Sequence, residues 1–479
     1  MLIHANKKFK SKMKSKRIFN AVAVLAIALS AGCAGMRNPK QAEEDITLAL
    51  AKTGHSAPAG FNGANNNAAF RNPDKSDKLT VLGGGLSLDD AIKLALANNH
   101  DIKSAHFAKH AADGYIDQAL AEAMPSLSLS ANAQNNFSAD DHNDTYNAGA
   151  RVTQPLWRGG AVSSGLRYAK YYTASSDYAI KGMMSDTIYS VSEKYYSVLL
   201  NQQLAQVYEE AVAVTERMSR SARSRREQGV ALEYEILRAE VEVASARADL
   251  INASNTLTRA EIMLFDTMGV SQDSAVTLTD KLAYDPEPEA FADEALFFEL
   301  AALSRPDLAR AQAAVFMARE NLDVVKSNYR PKLDAFGSAN YNNNRAGEWN
   351  EEIIVGATAS IQLYDGLKKR GKIAVAQAEI AQAEEALKKA QDAARVDVVN
   401  ALNQLKYAGE LYASQSKNIG VAKEALRLIE AGSAQGRNRQ VEVLDTRAAL
   451  TDALGAYHRA VYSHNLAKLG VRAAAGQLE

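Results

Sequence analysis

The sequence predicts a mainly α-helical fold with a β-barrel portion, built from a strand–helix unit that occurs twice. Three observations carry this: an internal repeat offset by 206 to 207 residues, long heptad runs free of proline, and four alternating segments paired within the repeat.

The repeat begins at Leu86. Asp101-Ile102 corresponds to Asp307-Leu308, and Pro125-Ser126-Leu127 to Pro331-Lys332-Leu333. Leu156-Trp157-Arg158-Gly159 corresponds to Leu363-Tyr364-Asp365-Gly366, Gln228-Gly229 to Gln435-Gly436, and Glu235-Ile236-Leu237 to Glu442-Val443-Leu444. One residue of slip across the whole length marks a duplicated unit. The copies occupy 86–269 and 297–470, separated by a linker over 270–296 and followed by a short tail, 471–479.

Proline placement outlines the helices. None of the nine prolines falls in 156–285, and none follows Pro331. Helices over 160–227, 232–268, 367–431 and 440–468 are therefore unobstructed, with shorter ones over 101–124 and 307–329. Ile236, Ala239, Val243, Ala246, Leu250, Ala253, Leu257, Ala260 and Leu264 step by three and four. Ile373, Ala376, Ile380, Ala383, Leu387, Ala390 and Ala394 do the same, and a further step of four to Val398 is a stutter that locally unwinds a supercoil. At 1.5 Å per residue the two long helices reach about 100 Å, and a shorter pair laid end to end matches each. That arithmetic predicts a tall helical cylinder with hairpin tips at Gly229 and Gly436.

The strands do not belong in a coiled coil. Leu127, Leu129, Ala131 and Ala133 alternate with Ser126, Ser128, Ser130 and Asn132; Tyr146, Ala148, Ala150 and Val152 alternate with Asn147, Gly149, Arg151 and Thr153. In the second copy Leu333, Ala335, Ala339 and Tyr341 share parity, as do Ile353, Val355, Ala357, Ala359, Ile361 and Leu363. Each run is long enough to cross a bilayer as a tilted strand, and Asn/Asp-rich loops over 138–144 and 342–350 join the pairs. Only a closed barrel satisfies strand backbone in hydrocarbon, and four strands cannot close one, so the chain must share a barrel with copies of itself.

The N-terminus predicts export. Lys7, Lys8, Lys10, Lys12, Lys14, Lys16 and Arg17 precede an apolar run from Ile18 to Leu29, too short to span a bilayer; Met13 offers an alternative start. Leu29-Ser30-Ala31-Gly32-Cys33 is similar to a bacterial lipoprotein box, with Ser30 at the usual Leu position and Cys33 as the lipidated first residue of the mature chain. The competing reading is ordinary cleavage near Ala31 or Ala34. The signal spans 1–32, and 33–85, rich in Asn, Gly, Ala and Ser, reads as a flexible lipid-anchored tether.

Composition excludes other classes. Alanine is about 18% of the chain, aromatics 7% and charged residues 23%, suiting long solvated helices. Removing residues 1–32 leaves 48 basic against 56 acidic groups, with no surplus to neutralise nucleic-acid phosphates. Gly366-Leu367-Lys368-Lys369-Arg370-Gly371-Lys372-Ile373 nearly fits a nucleotide-binding loop, yet ends in Ile373 where a magnesium-ligating hydroxyl is required; cations beside a membrane crossing explain it better. His106 and His110 have metal-compatible spacing without a third ligand, Tyr195-Tyr196 reads as packing, and no nucleophile–base arrangement is apparent, so no cofactor, metal or catalytic residue is expected.

From Leu86 to Gly470 the chain resembles the TolC family of outer-membrane efflux proteins. Leu88-Asp89-Asp90-Ala91-Ile92 with Asn98-Asn99-His100-Asp101-Ile102 is similar to its opening motif, and Gln154-Pro155-Leu156-Trp157-Arg158-Gly159-Gly160 to its strand-to-helix turn. Gln228-Gly229 followed by Leu237-Arg238-Ala239-Glu240 is similar to its tip and returning helix. The resemblance implies a homotrimer with a twelve-stranded outer-membrane barrel continuous with a periplasmic helical barrel. It also implies a passive exit duct for efflux or type I secretion, coupled through a periplasmic adaptor (membrane fusion protein) to an inner-membrane transporter. Glu442 and Asp445 match by spacing the family's acidic entrance gate, with Arg238 compensating Glu235 in the first copy. The tips Gly229, Val230, Gly436 and Arg437 would meet the adaptor. Arg217, Arg220, Arg223, Arg225 and Arg226 crowd the first tip, either for docking or to complement the helix's negative end. The alternative from another class is a lipid-anchored coiled-coil scaffold without a pore.

Overall fold

A computed structural model describes residues 40–53, 85–138, 141–229, 232–270, 277–286, 293–343, 349–435, 437 and 439–478. In chain order the elements are α1 (Lys40–Thr53), α2 (Leu88–Asn98), α3 (His100–Ala121), β1 (Ser126–Ser138), β2 (Asp141–Trp157), α4 (Ala161–Glu227) and α5 (Glu233–Met268). The second copy follows as α6 (Glu294–Ser304), α7 (Pro306–Ser327), β3 (Lys332–Asn343), β4 (Trp349–Ser360), α8 (Lys368–Ala434) and α9 (Gln440–Ala474). The fold is mainly α with a β portion. It divides into two compact units: the described residues up to Leu50 with Phe107–Tyr178 and Leu308–Ala390, and the described residues of Ala51–His106, Ala179–Asp307 and Gln391–Glu479.

The first unit contains one antiparallel sheet in the order β1-β2-β3-β4, which leaves β1 and β4 as its edges. Leu127 pairs with Val152, Ala150 with Ala339, and Ala339 with Ile353, so one parity of all four strands shares a face. That face exposes Leu129 and Val355 by 80% and 75%, too apolar a surface to stand in water. The opposite face carries Ser128, Arg151, Ser338 and Asn340. There the Phe336 ring lies over Gly356, where a Cβ would come within 3.0 Å of it, and the Arg151 guanidinium sits 4.4 Å from the ring centroid. The strands run further than the sequence suggests. β1 continues to Ser138 and β2 starts at Asp141, so most of the expected 138–144 loop is ladder, because Asn and Asp on a two-sided hairpin extend it without steric cost.

The second unit holds two cores that superpose residue for residue on the repeat. In one, Ala91 and Ala95 of α2 pack with Val191, Val198, Ala260, Leu264 and Met268. In the other, Phe297 and Ala301 of α6 pack with Val398, Leu405, Ala467, Val471 and Ala475. Each residue of the second set lies 206 or 207 beyond its counterpart. The heptad positions named above are the buried or half-buried ones of α5 and α8.

Both returning helices end in the same way. Gly269 (φ +67) and Gly476 (φ +71) adopt left-handed backbone, and a Cβ on them would meet Asn98 at 3.0 Å and Ser304 or Arg305 at 2.9 Å. The adjoining helix breaks are capped differently. Asn99 accepts from the Asp101 and Ile102 N–H groups at 2.7 and 3.2 Å, whereas Pro306 starts α7 with no N–H to satisfy. Arg305 takes the Asn99 position, donating to Asp307 at 3.0 and 2.7 Å and to the Ala474 carbonyl at 3.3 Å, with Asp397 at 3.1 Å. The second copy therefore includes part of the expected tail: α9 runs to Ala474 rather than 468, and its cap lies beyond Gly470.

The expected flexible tether also contains structure. α1 buries Ala42 and Ile46, and the Tyr171 hydroxyl donates to Asp45 at 3.0 Å. The remainder of 33–85 that precedes Gly85 lies outside the described residues. Sequence composition hid this helix because two buried side chains, Ala42 and Ile46, among the ten described ones leave little periodic signal.

Burial, aided by the hydrogen bond to Asp45 and by its charge, pushes the Tyr171 phenol from 10.0 up to about 12. A raised acid favours the protonated, folded form, so its contribution to docking α1 is complete below pH 10 and is lost as pH rises toward 12. An ultraviolet difference titration of wild type against Tyr171→Phe should show the tyrosine lost in the variant ionising well above the ordinary value of 10.0. Ionisation at the ordinary value would mean that α1 is not docked.

Candidate functional site at the helical hairpin tips

Each hairpin joins a long helix to a short returning one through a turn of a few residues. At the first tip the Gly229 N–H donates to the Arg226 carbonyl at 2.9 Å, and Gly229 has φ +76, closing α4. At the second the Gln435 and Arg437 N–H groups both donate to the Gly432 carbonyl, at 3.1 and 3.0 Å. Gly436 and Val230 lie outside the described residues, as does Cys33.

The arginines crowding the first tip are largely neutralised by acids. Arg223 donates to Glu240 at 2.6 Å, Arg226 lies 3.6 Å from Glu233, and Arg220 lies 3.7 Å from Glu216. Arg247 of α5 reaches the same Glu216 at 2.6 Å and, through that hydrogen bond, lowers its carboxyl below the usual range. These pairs stitch α4 to α5. At the second hairpin Arg447 of α9 engages Glu430 of α8 in the same sense.

Glu442 and Asp445 occupy the first turns of α9, and both are exposed. Glu442 is the third residue of the helix and accepts from the Arg439 N–H at 3.4 Å, the longer limb of a capping box. Arginine has no acceptor, so the reciprocal limb is absent. Asp445 lies 3.6 Å from Arg238 of α5, which also stands 3.9 Å from Glu242. Sequence reasoning paired Arg238 with Glu235 of its own copy. The structure instead joins Arg238 to the acid of the other copy, 207 residues away, and no sequence signal marks that pairing. The second tip thus carries exposed Glu442 and Asp445 beside Arg437 and Arg439, and one cation from the first copy reaches across to Asp445.

Other residues that the sequence singled out are structural. The buried Tyr195 hydroxyl lies 2.9 Å from the Leu86 carbonyl and 2.8 Å from Asp280, and burial, reinforced by Asp280, pushes its phenol up. It pins the linker strand, where Leu86 bridges Leu278, against α4. Among the described residues no group of three or more His, Cys, Asp or Glu is placed to hold a metal, and no helix is long and apolar enough to cross a membrane.

An exposed apolar sheet and duplicated helical hairpins together fit a transport protein with a membrane-embedded β portion. The profile described as outer membrane efflux protein matches residues 91–270 and 298–477, well over half of the sequence, and the chain belongs to that family. The match ends at the same place in both copies, one residue past each capping glycine. Among curated relatives, Protein CyaE of Bordetella pertussis is 26% identical over 401 residues, covering 80% of each chain. Cobalt-zinc-cadmium resistance protein CzcC of Cupriavidus metallidurans is 24% identical, covering 77% of this chain and 85% of its own. Among solved structures, the outer membrane protein VceC of Vibrio cholerae superposes with a TM-score of 0.70 at 15% identity, covering 81% of this chain and 96% of that one. The protein is therefore an outer-membrane transport duct of the TolC kind that extends into the periplasm.

The Arg238–Asp445 pair is exposed, with side chains 34% and 66% accessible, so solvent screens it. A double-mutant cycle of Arg238→Ala and Asp445→Ala, read by thermal unfolding, should give a coupling of about 0.2–1 kcal/mol. A coupling several times larger would mean that the bridge belongs to a rigid network and does not separate easily.

Proposed function

We propose that three copies of this chain close a twelve-stranded barrel and act as a passive exit duct, joined through a periplasmic adaptor to an inner-membrane transporter. The observation that carries this reading is the four-stranded sheet with one largely apolar face and two edges. In hydrocarbon those edges require partners, and another copy supplies them with no new fold. Exposed apolar residues on the helices, such as Val241 and Ile251 of α5 and Val396 and Val421 of α8, give copies further surface to bury. A pore-less scaffold leaves the sheet without a role.

In this reading the second-copy tips converge on the axis, where Glu442 and Asp445 of three subunits form the entrance gate. The turns at Gly229, Val230, Gly436 and Arg437 face the adaptor. In this reading cargo is selected by the transporter, and the duct is passive.

Single-channel recording in planar bilayers tests the entrance. The wild type should prefer cations, and Glu442→Ala with Asp445→Ala should abolish that preference and any block by multivalent cations, with folding nearly unchanged. Unchanged selectivity would remove both residues from the gate and leave the duct standing.

Lipid at Cys33 would add a second membrane attachment to the barrel. The mature wild type should carry the mass of a lipidated N-terminal cysteine, and Cys33→Ser should lack it while still assembling. A mature N-terminus at another residue, unmodified, would sink the anchor.

A further inference from the structure

The duplicated turn from strand to long helix is built differently in the two copies. In the first it reads Trp157-Arg158-Gly159-Gly160, with φ +64 and +94 at the two glycines. In the second it reads Tyr364-Asp365-Gly366-Leu367, with φ +69 at Gly366 and +73 at Leu367. Leu367 is the one non-glycine residue with positive φ among the described residues, a conformation in which its Cβ crowds the backbone. Burial does not offset that strain, because Leu367 is 68% exposed, beside Leu363 and Tyr364 at 88% and 81%.

A second local rule is broken immediately afterwards. Lys368, Lys369, Arg370 and Lys372 fill the first turns of α8, the positive end of its dipole, where cations are unfavourable. All four are exposed, and none has a carboxylate at ion-pair distance among the described residues. Lys369 sits 5.2 Å from the Tyr329 ring, while Asp365 is engaged by the Tyr329 hydroxyl. The equivalent stretch of the first copy, Ala161-Val162-Ser163-Ser164-Gly165, carries no charge. Strain and misplaced charge in one copy alone, with no carboxylate partner for the four cations among the described residues, point to something outside it.

We propose that Leu363–Lys372 is a binding site for anionic phospholipid at the membrane boundary. The cations engage the headgroup phosphate, and Leu363, Tyr364 and Leu367 lie against the acyl chains. The apolar residues continue the outward face of β4, through Val355, Ala357 and Ala359, to the level at which the strand ends and the charges begin. That order matches a bilayer leaflet, with hydrocarbon first and phosphate next. The inference rests on the barrel reading above, which supplies the bilayer.

Native mass spectrometry of the full trimer in detergent tests it, with phosphatidylglycerol or phosphatidylcholine added. The wild type should retain phosphatidylglycerol about tenfold better, as a few cations near an anionic surface allow. Lys368→Gln, Lys369→Gln, Arg370→Gln and Lys372→Gln together should bring that ratio close to one, with the trimer mass intact. Leu367→Gly should weaken retention of both lipids without lowering the thermal midpoint, since it relieves the strained backbone. Equal retention of the two lipids by the wild type, or an unchanged ratio in the fourfold variant, overturns the proposal. So does dissociation of the fourfold variant into monomers, which would assign the cations to a contact between copies. A wild type that is itself monomeric defeats the barrel reading first and this one with it.

Discussion

Backbone hydrogen bonding at the two sheet edges is the constraint from which the rest of the structure follows. Four strands with one apolar face suit a bilayer, yet β1 and β4 each present a row of N–H and C=O groups that hydrocarbon cannot satisfy. A sheet of this kind is incomplete as a monomer, whatever its helices do. Its polar face, with Arg151 stacked on Phe336 over Gly356, has the chemistry of a wetted lumen rather than a packed core. The barrel proposed for three copies resolves both facts at once.

The helical part solves a different problem, which is how to hold very long helices with small side chains. α4 and α8 are 67 residues each, and the cores that grip them are small and duplicated. Alanine at the contacts lets backbones approach, and the glycine caps at 269 and 476 seat each returning helix against the break between two short ones. The two copies reach this junction with different chemistry. Asn99 caps with a neutral amide, whereas Arg305 uses five donors to gather Asp307, Asp397 and the Ala474 carbonyl. Both junctions hold the end of the returning helix, since Asn99 donates to the Thr267 carbonyl at 3.4 Å as Arg305 does to the Ala474 carbonyl, and only the second adds ion pairs.

Charge is distributed with the same asymmetry. At the first tip arginines are paired along the hairpin, while at the second the acids remain exposed and Arg238 reaches across to Asp445. A bridge so accessible to water is weak, which suits the entrance gate proposed above. At the other end of α8 the charges are basic and unpaired within the described chain, beside a leucine held in a glycine's conformation. Duplication supplied two equivalent frames, and the departures from equivalence mark where each copy meets something different.

The sequence by itself determined the repeat, the four strands, the family and six of the helices to within about six residues at their ends, but not α1, α2 or α6. These depend on local periodicity, on proline exclusion and on an offset that any two matched positions reveal. Heptad positions such as Ala239, Leu264, Ala376 and Val398 proved to be the buried ones, because a helix of fixed pitch leaves them no other face. Tertiary structure alone decided the docking of α1, the extension of the second copy through Gly476, and the partners of Arg238 and Arg305. Each of these depends on which distant backbone or carboxylate comes within about 3–4 Å, and nothing in the spacing of the chain encodes that distance. The strain at Leu367 was equally hidden, since only the observed φ distinguishes a leucine in a glycine's place from one in an ordinary turn.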